Sequence, residues 1–307
     1  MADIVISEFM DKTIANDMLN DHDLLFDPSL ADNTEALYKS LSNARALIVR
    51  NRTQVDEALL AAAPNLLVIG RLGVGLDNID LDACKNRNIA VCPATGANDL
   101  PVAEYVVTAT LMLLRGAWLA SERVSAGEWP RMALMGKEVS GKCMGLIGYG
   151  SIARETASRA AALGMNIIAY DPYLPENDPA WKTAQPVELT ELLKFADVIS
   201  LHVPLIDETR HMINKKSLEA MKPEAVLINA ARGGIVDEAA LVTAIKNQQL
   251  AGAALDVFEN EPLDSNHGLL FKDVQNLILT PHIAGVTKES NVRVSRLTIQ
   301  NVLNKLL

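Results

Sequence analysis

The stretch "GLIGYGSIARETASRAAALGMNIIAYDP", Gly145–Pro172, joins a short apolar run to an Ala-rich helical segment and then to a second apolar run that ends in an acid. Gly148, Gly150 and Ala153 fit the pattern G-x-G-x-x-[GA]. The first glycine suits a tight turn, the second lets backbone approach a pyrophosphate, and the small third residue lets helix pack on strand. The helix that follows offers N–H groups and a partial positive charge at its start, and Gly164 is placed to end it as a left-handed cap. Asp171 lies 21 residues beyond Gly150, where a carboxylate bonds the adenosine ribose hydroxyls and repels a 2′-phosphate. A glycine-rich turn alone is common in α/β proteins, but strand, helix and acid agree here, so a dinucleotide site is expected. No Arg stands close behind Asp171 in "YDPYLPEN", which favours NAD over NADP.

This grip begins nearly halfway along a chain of 307 residues, longer than the roughly 100 to 200 residues of one ordinary domain. Hydrophobic residues make up 49% and charged residues 21%, as in a folded globular protein. The net charge of -10, without a run of Lys or Arg, argues against nucleic acid or an anionic membrane surface as partner. Cys84, Cys92 and Cys143 are odd in number and form no CxxC, which suits free thiols and no metal site. "MADIVISEF" has acidic flanks and alternates like a strand, so no signal peptide is expected. "VAEYVVTATLMLLRGAWLA" carries Glu104 and Arg115 and reads as a buried helix rather than a membrane span. These features together point to the cytoplasm.

Before Asn98, the apolar runs "DIVISEF", "ARALIVR", "NLLVIG" and "IAVCPA" alternate with helix-like segments, the rhythm of a small doubly wound α/β unit. A long helix is expected from about Pro101 to Ala126. A second and larger series then runs through "CMGLIG", "NIIAYD", "DVISLHV", "AVLINAA", "AGAALDVF" and "NLILTPH". The last segment, "ESNVRVSRLTIQNVLNKLL", is apolar at helical spacing with no strand after it, and packing back onto the first unit is an economical way to cover it.

Ligands of an open parallel sheet bind beyond the carboxyl ends of its strands. In the second series three chemically capable residues follow successive strands: Arg232 after "AVLINAA", Glu261 after "AGAALDVF" and His282 after "NLILTP". Each alone is an ordinary surface or turn residue. Together beside a nicotinamide they suit oxidation of a 2-hydroxy acid: histidine takes the hydroxyl proton, the carboxylate orients the ring, and arginine holds the substrate carboxylate and polarises the developing carbonyl. His22, His211 and His267 sit in polar surroundings, and His202 closes a strand without an acidic neighbour, so these compete less well.

The series "GRLGVGLDNIDL", "GANDLPVAEYVV", "GLIGYGSIAR", "LHVPLIDETRHMIN", "LINAARGGIVDEAAL", "ALDVFENEPL" and "LTPHIAGVT" resembles, in order and over nearly the whole chain, the D-isomer-specific 2-hydroxyacid dehydrogenases, phosphoglycerate-dehydrogenase-like members in particular. The resemblance implies two doubly wound parallel-sheet domains: a flavodoxin-like substrate domain at 1–98 plus 286–307, and an inserted Rossmann NAD domain at 99–285. It implies that Arg232, Glu261 and His282 are the catalytic Arg, Glu and His. Val74 and Gly75 match a loop whose N–H groups hold the substrate carboxylate, and Asn98 matches a residue at the cleft. Gly148, Gly150, Ser151, Ile152, Asp171, Val203, Pro204, Thr209, Ala230, Asp256, Ala284 and Gly285 match cofactor contacts. Ser151 replaces an Arg often found there. No regulatory domain follows the last helix in this sequence, so serine feedback is not expected. A homodimer through the helix after Asn98 is expected from the family and from its apolarity.

The substrate's far end is open to Arg50, Arg52 and Arg71, with Met135 and Lys137 as further candidates. Arginines beside a carboxylate-binding loop suggest a second anion, a phosphate or sulfonate. The wording around "EFMD", "IVRNRTQV" and "GRLGVGLDNID" is similar to the sulfolactate dehydrogenase branch. Glycerate, glyoxylate or hydroxypyruvate, and D-lactate-type acids are the alternative substrates. A non-catalytic NAD(H)-sensing module and a formate- or phosphite-type dehydrogenase are the alternative classes.

Overall fold

The computed structural model describes residues 2–306. The chain divides into two compact units, Met1–Asn98 with Val286–Leu307, and Asp99–Gly285.

In the first unit β1 (Ile4–Ile6), β2 (Leu24–Phe26), β3 (Ala46–Val49), β4 (Val68–Arg71) and β5 (Ala90–Pro93) form one parallel sheet in the order β2-β1-β3-β4-β5. This is the flavodoxin-like order. β1 and β3 are buried on both faces, which is why they read as unbroken aliphatic runs. Val5, Leu47 and Ile69 enter one core, while Ile4, Ile6, Ile48 and Val68 enter the core on the other face, as the two-residue period requires. β2 escapes the sequence reading because it is a three-residue, half-buried edge.

The C-terminal helix Lys288–Leu306 packs against β4 through Thr298, Ile299 and Val302. Gly70 lets it approach: a Cβ there would meet the Val302 and Thr298 methyls at 2.6 and 2.8 Å.

The second unit contains β6 (Cys143–Ile147), β7 (Asn166–Tyr170), β8 (Gln185–Pro186), β9 (Val198–Leu201), β10 (Val226–Asn229), β11 (Gly252–Leu255) and β12 (Leu277–Leu279). All run parallel in the order β12-β11-β10-β9-β6-β7-β8, the Rossmann order extended by one strand. β8 was not foreseen: it is two residues long, and its proline, which has no N–H to give, sits on the edge.

The single helix expected from Pro101 to Ala126 is corrected by the structure. A helix spans Asp99–Arg115 and stops at Gly116, whose φ of +59° is left-handed; a second short helix, Ala120–Ser125, follows. The first buries Val106, Ala109, Leu113 and Leu114 against the helix Ser151–Ala162 and β10. Among the described residues no single helix is long and apolar enough to cross a membrane.

Candidate functional site

The chain reverses direction across the second sheet between β6 and β9, and the glycine turn lies there. Gly148 has φ +85°, and a Cβ on it would lie 2.6 Å from the His202 carbonyl oxygen. Gly150 caps the helix Ser151–Ala162, and a Cβ on Gly150 would meet nothing within 4 Å. The helix start, with Ser151 and Ile152 in its first turn, therefore opens onto free space with N–H groups that no helical carbonyl can satisfy. Gly164 ends the helix segment at φ +82°. Asp171 accepts the Tyr149 N–H at 2.8 Å and the Tyr173 N–H at 3.0 Å, one on each carboxylate oxygen. A carboxylate has about four acceptor positions, so capacity for ribose hydroxyls remains. Open glycine, open helix start and spare acceptors fit a dinucleotide.

Val203 and Pro204 follow β9, and the Thr209 hydroxyl ties their turn together by donating to the Pro204 carbonyl at 2.7 Å and accepting from the Ile206 N–H at 2.9 Å. Burial pulls the His202 imidazole down to about 4, so this ring is neutral near pH 7 and unsuited to acid–base exchange. Its Nε2 lies 3.0 Å from the Ser200 hydroxyl.

Beyond β10, the buried Asn229 folds the Ala230–Arg232 turn: its Nδ2 donates to the Arg232 carbonyl at 2.9 Å and its Oδ1 accepts the Ala231 N–H at 3.1 Å. Gly233 is required, because a Cβ there would fall 1.7 Å from the Phe258 carbonyl oxygen. The Phe258 N–H in turn donates to Glu261 Oε1 at 3.0 Å. The other oxygen, Oε2, lies 2.7 Å from His282 Nδ1. Burial raises the Glu261 carboxyl, but the bond and charge of His282, the Phe258 N–H and the charge of Arg232 outweigh it and hold the carboxyl below the ordinary range.

Asp256 immediately follows β11 and is almost fully buried. Its carboxylate accepts from the Thr280 hydroxyl at 2.6 Å and from the Ile283 and Ala284 N–H groups at 2.8 Å each, while its carbonyl accepts the His282 N–H at 2.8 Å. This clamp holds His282 at φ +56°, a left-handed conformation uncommon for a residue other than glycine. Tyr105 lies 2.6 Å from the Thr280 hydroxyl and completes the network. Sequence reasoning grouped Asp256 with cofactor contacts and missed Asn229 and Thr280. The only available signal was their place at strand ends.

In the first unit the N–H groups of Val74 and Gly75, just past β4, donate to nothing among the described residues. The buried Asn98 Oδ1 has no partner among the described residues either. The three arginines separate clearly. Arg52 is paired with Asp32. Arg71 bends back so that Nη1 donates to the Leu72 carbonyl at 2.9 Å, over Gly73, where a Cβ would lie 1.8 Å from that nitrogen. Arg50, just past β3, has Nη1 3.3 Å from the Phe9 carbonyl oxygen and 3.4 Å from Asn291 Oδ1. Lys137 and the exposed Met135 belong to the second unit.

Residues 107–284 match the family profile described as D-isomer specific 2-hydroxyacid dehydrogenase, NAD binding domain. The chain belongs to this family. The dehydrogenase is 54% identical over 307 residues to the (S)-sulfolactate dehydrogenase of Chromohalobacter salexigens, covering 100% of this chain and 99% of that protein. It is 42% identical over 270 residues to the D-3-phosphoglycerate dehydrogenase of Archaeoglobus fulgidus, covering 88% of this chain but 51% of that protein, so it spans about half the length of that relative. The crystal structure of D-lactate dehydrogenase from Aquifex aeolicus, complexed with NAD and lactic acid, superposes with a TM-score of 0.86 at 30% identity over 99% of this chain and 95% of that one. The dehydrogenase is an NAD-dependent oxidoreductase of 2-hydroxy acids with two parallel-sheet α/β units, one flavodoxin-like and one Rossmann.

The lowered Glu261 carboxyl gives a stability prediction with a definite sign. Because its folded value lies below the unfolded one, the stabilisation is present above the ordinary glutamate value of about 4.3 and is lost as pH falls through the lower folded value. The urea midpoint of Glu261→Gln should lie below that of wild type at neutral pH, and the gap should close under acid conditions. A gap that widens on acidification would contradict this assignment.

Proposed function

We propose that this protein interconverts (S)-sulfolactate and 3-sulfopyruvate with NAD. The observation that carries this reading is the pair of hydrogen-bond donor sets past the neighbouring strands β3 and β4. Arg50 follows one, and the unpartnered Val74 and Gly75 N–H groups follow the other. Adjacent strands lie about 4.8 Å apart, a spacing suited to the two ends of a three-carbon acid. Val74 and Gly75 would take the carboxylate, and Arg50 the second anion in charge-assisted bonds. Arg52 pairs with Asp32 through Nη2, and Arg71 donates to the Leu72 carbonyl through Nη1. The 54% identity to a sulfolactate dehydrogenase over the full chain favours sulfonate over phosphate.

Configuration is consistent. In sulfolactate the CH2–SO3 branch outranks the carboxylate because sulfur outranks oxygen, whereas in lactate the carboxylate outranks the methyl. The isomer labelled S in sulfolactate therefore has the arrangement of D-lactate, as expected in a D-specific family.

NAD, which the Gly148–Gly150 turn and Asp171 would hold, would supply the acceptor for the C2 hydrogen of the hydroxy acid as hydride. The ionised Glu261 accepts a hydrogen bond from His282 Nδ1–H, which fixes the tautomer and leaves Nε2 to take the substrate hydroxyl proton. Arg232 would bind the substrate carboxylate and stabilise charge at the C2 oxygen. Asn98, with its unpartnered Oδ1, would contact substrate. In reverse, the His282 imidazolium returns the proton.

We further propose a homodimer, built not on the helix Asp99–Arg115 as the sequence suggested, which buries Val106, Ala109, Leu113 and Leu114 within its own unit, but on the segment after its break, where Trp129, Met132 and Met135 are 77%, 78% and 70% exposed. The same reading places the protein in the cytoplasm, where the unpaired Cys84, Cys92 and Cys143 would stay reduced.

Three measurements follow. His282→Ala should lower kcat by about 10² to 10⁴ while NAD binding by calorimetry persists; wild-type turnover would remove His282 from its role. Arg50→Gln should lower kcat/KM for (S)-sulfolactate relative to D-lactate by about tenfold or more, and an unchanged ratio would eliminate the second anion site. Light scattering should return twice the 33.2 kDa chain mass, and a monomer would overturn the dimer.

A further inference from the structure

Glu8 follows β1 and is 3% exposed. Its two carboxylate oxygens accept four consecutive backbone N–H groups from the loop after β3. Oε1 takes Arg50 at 2.8 Å and Thr53 at 2.9 Å, and Oε2 takes Asn51 at 3.1 Å and Arg52 at 3.0 Å. Successive N–H groups converging in this way form an anion-binding concavity. Here the chain's own carboxylate fills it.

The same dipeptide also holds the other end of Arg50. Glu8 binds the Arg50 main-chain N–H, while the carbonyl of the next residue, Phe9, accepts from Nη1, and the guanidinium carbon lies 5.9 Å from the centre of the Phe9 ring. Asn291, near the start of the C-terminal helix, meets the same Nη1. Among the described residues nothing bonds Nε or Nη2 of Arg50, so two nitrogens of the fork remain for a ligand. The second arginine of the loop, Arg52, is turned to Asp32. Glu8 thereby sorts two arginines in one short loop: one tied down, one presented.

We propose that Glu8 is a positioning residue for the second-anion subsite, folding the loop Arg50–Thr53 so that Arg50 meets the sulfonate of the substrate at a fixed place. The proposal rests on the reading of Arg50 given above. Glu8 also stays ionised at neutral pH: burial raises its carboxyl, but the four N–H bonds outweigh that and hold it below the ordinary range.

The test compares Glu8→Gln, Arg50→Gln and the double variant, each with (S)-sulfolactate and with D-lactate, which lacks the second anion. The glutamine is nearly isosteric but turns an NH2 group toward two N–H donors. Glu8→Gln should raise KM for sulfolactate about tenfold or more with kcat nearly retained, while KM for D-lactate moves about twofold or less. In the Arg50→Gln background, Glu8→Gln should produce no further fall in the sulfolactate-to-lactate ratio. Glu8→Asp, which keeps the charge, should recover part of that ratio. Equal losses on both substrates, an unchanged ratio, or an additive double variant would overturn the proposal, and insolubility of both Glu8 variants would reduce Glu8 to a purely structural role. If Arg50→Gln itself leaves the ratio unmoved, the Arg50 reading fails. If Arg50→Gln collapses the ratio and Glu8→Gln does not, only the proposal for Glu8 fails.

Discussion

The buried carboxylate of Asp256 is the interaction on which the placement of His282 in the second unit depends. It receives three bonds from the residues after β12 and brackets His282, whose backbone is left-handed. An unsatisfied buried polar group costs about 1 to 3 kcal/mol, so removing this carboxylate would expose several donors to that penalty at once. The imidazole can meet Glu261 at 2.7 Å because its backbone has already been placed.

The first unit uses the same device at its own sheet edge. Glu8 at the end of β1 gathers the N–H groups after β3, as Asp256 at the end of β11 gathers those after β12. In both cases the two strands are neighbours, and a carboxylate from one disciplines the loop of the other. Loops carry the reactive groups of open parallel sheets, and loops are the least determined part of such folds. A buried acid crossing from strand to strand makes a loop nearly as definite as the sheet beneath it.

Glycine does the complementary work of clearance. Gly233 allows the Arg232 turn to lie directly against the carbonyl of Phe258, and Phe258 passes its N–H to Glu261. Arginine, glutamate and histidine come from three different loops, yet they are joined by backbone contacts as well as by charge. A methyl group at Gly233 would disturb all three.

Much of this was legible from the order of residues. Gly148 declares the turn by its left-handed backbone, Gly150 by the clearance it leaves and Asp171 by its carboxylate at the next strand end, and long aliphatic runs declare strands buried on both faces. Arg232, Glu261 and His282 were visible as polar residues at strand ends. The edge strands β2 and β8 were not, since two or three residues carry no period. The helix break at Gly116 was hidden in a continuous apolar run. The partners of the three arginines were equally hidden: Arg50, Arg52 and Arg71 look alike in sequence, and only the folded chain pairs one with Asp32, winds one over Gly73 and sets one against the Phe9 carbonyl. The sequence by itself determined the strands, the glycine turn and the chemical types at the strand ends, because those depend on local sterics and hydrophobic period. Tertiary structure alone decided which carboxylates hold the loops and which partner each arginine meets, because hydrogen-bond partners dozens of residues apart are chosen by strand order, not by neighbours in the chain.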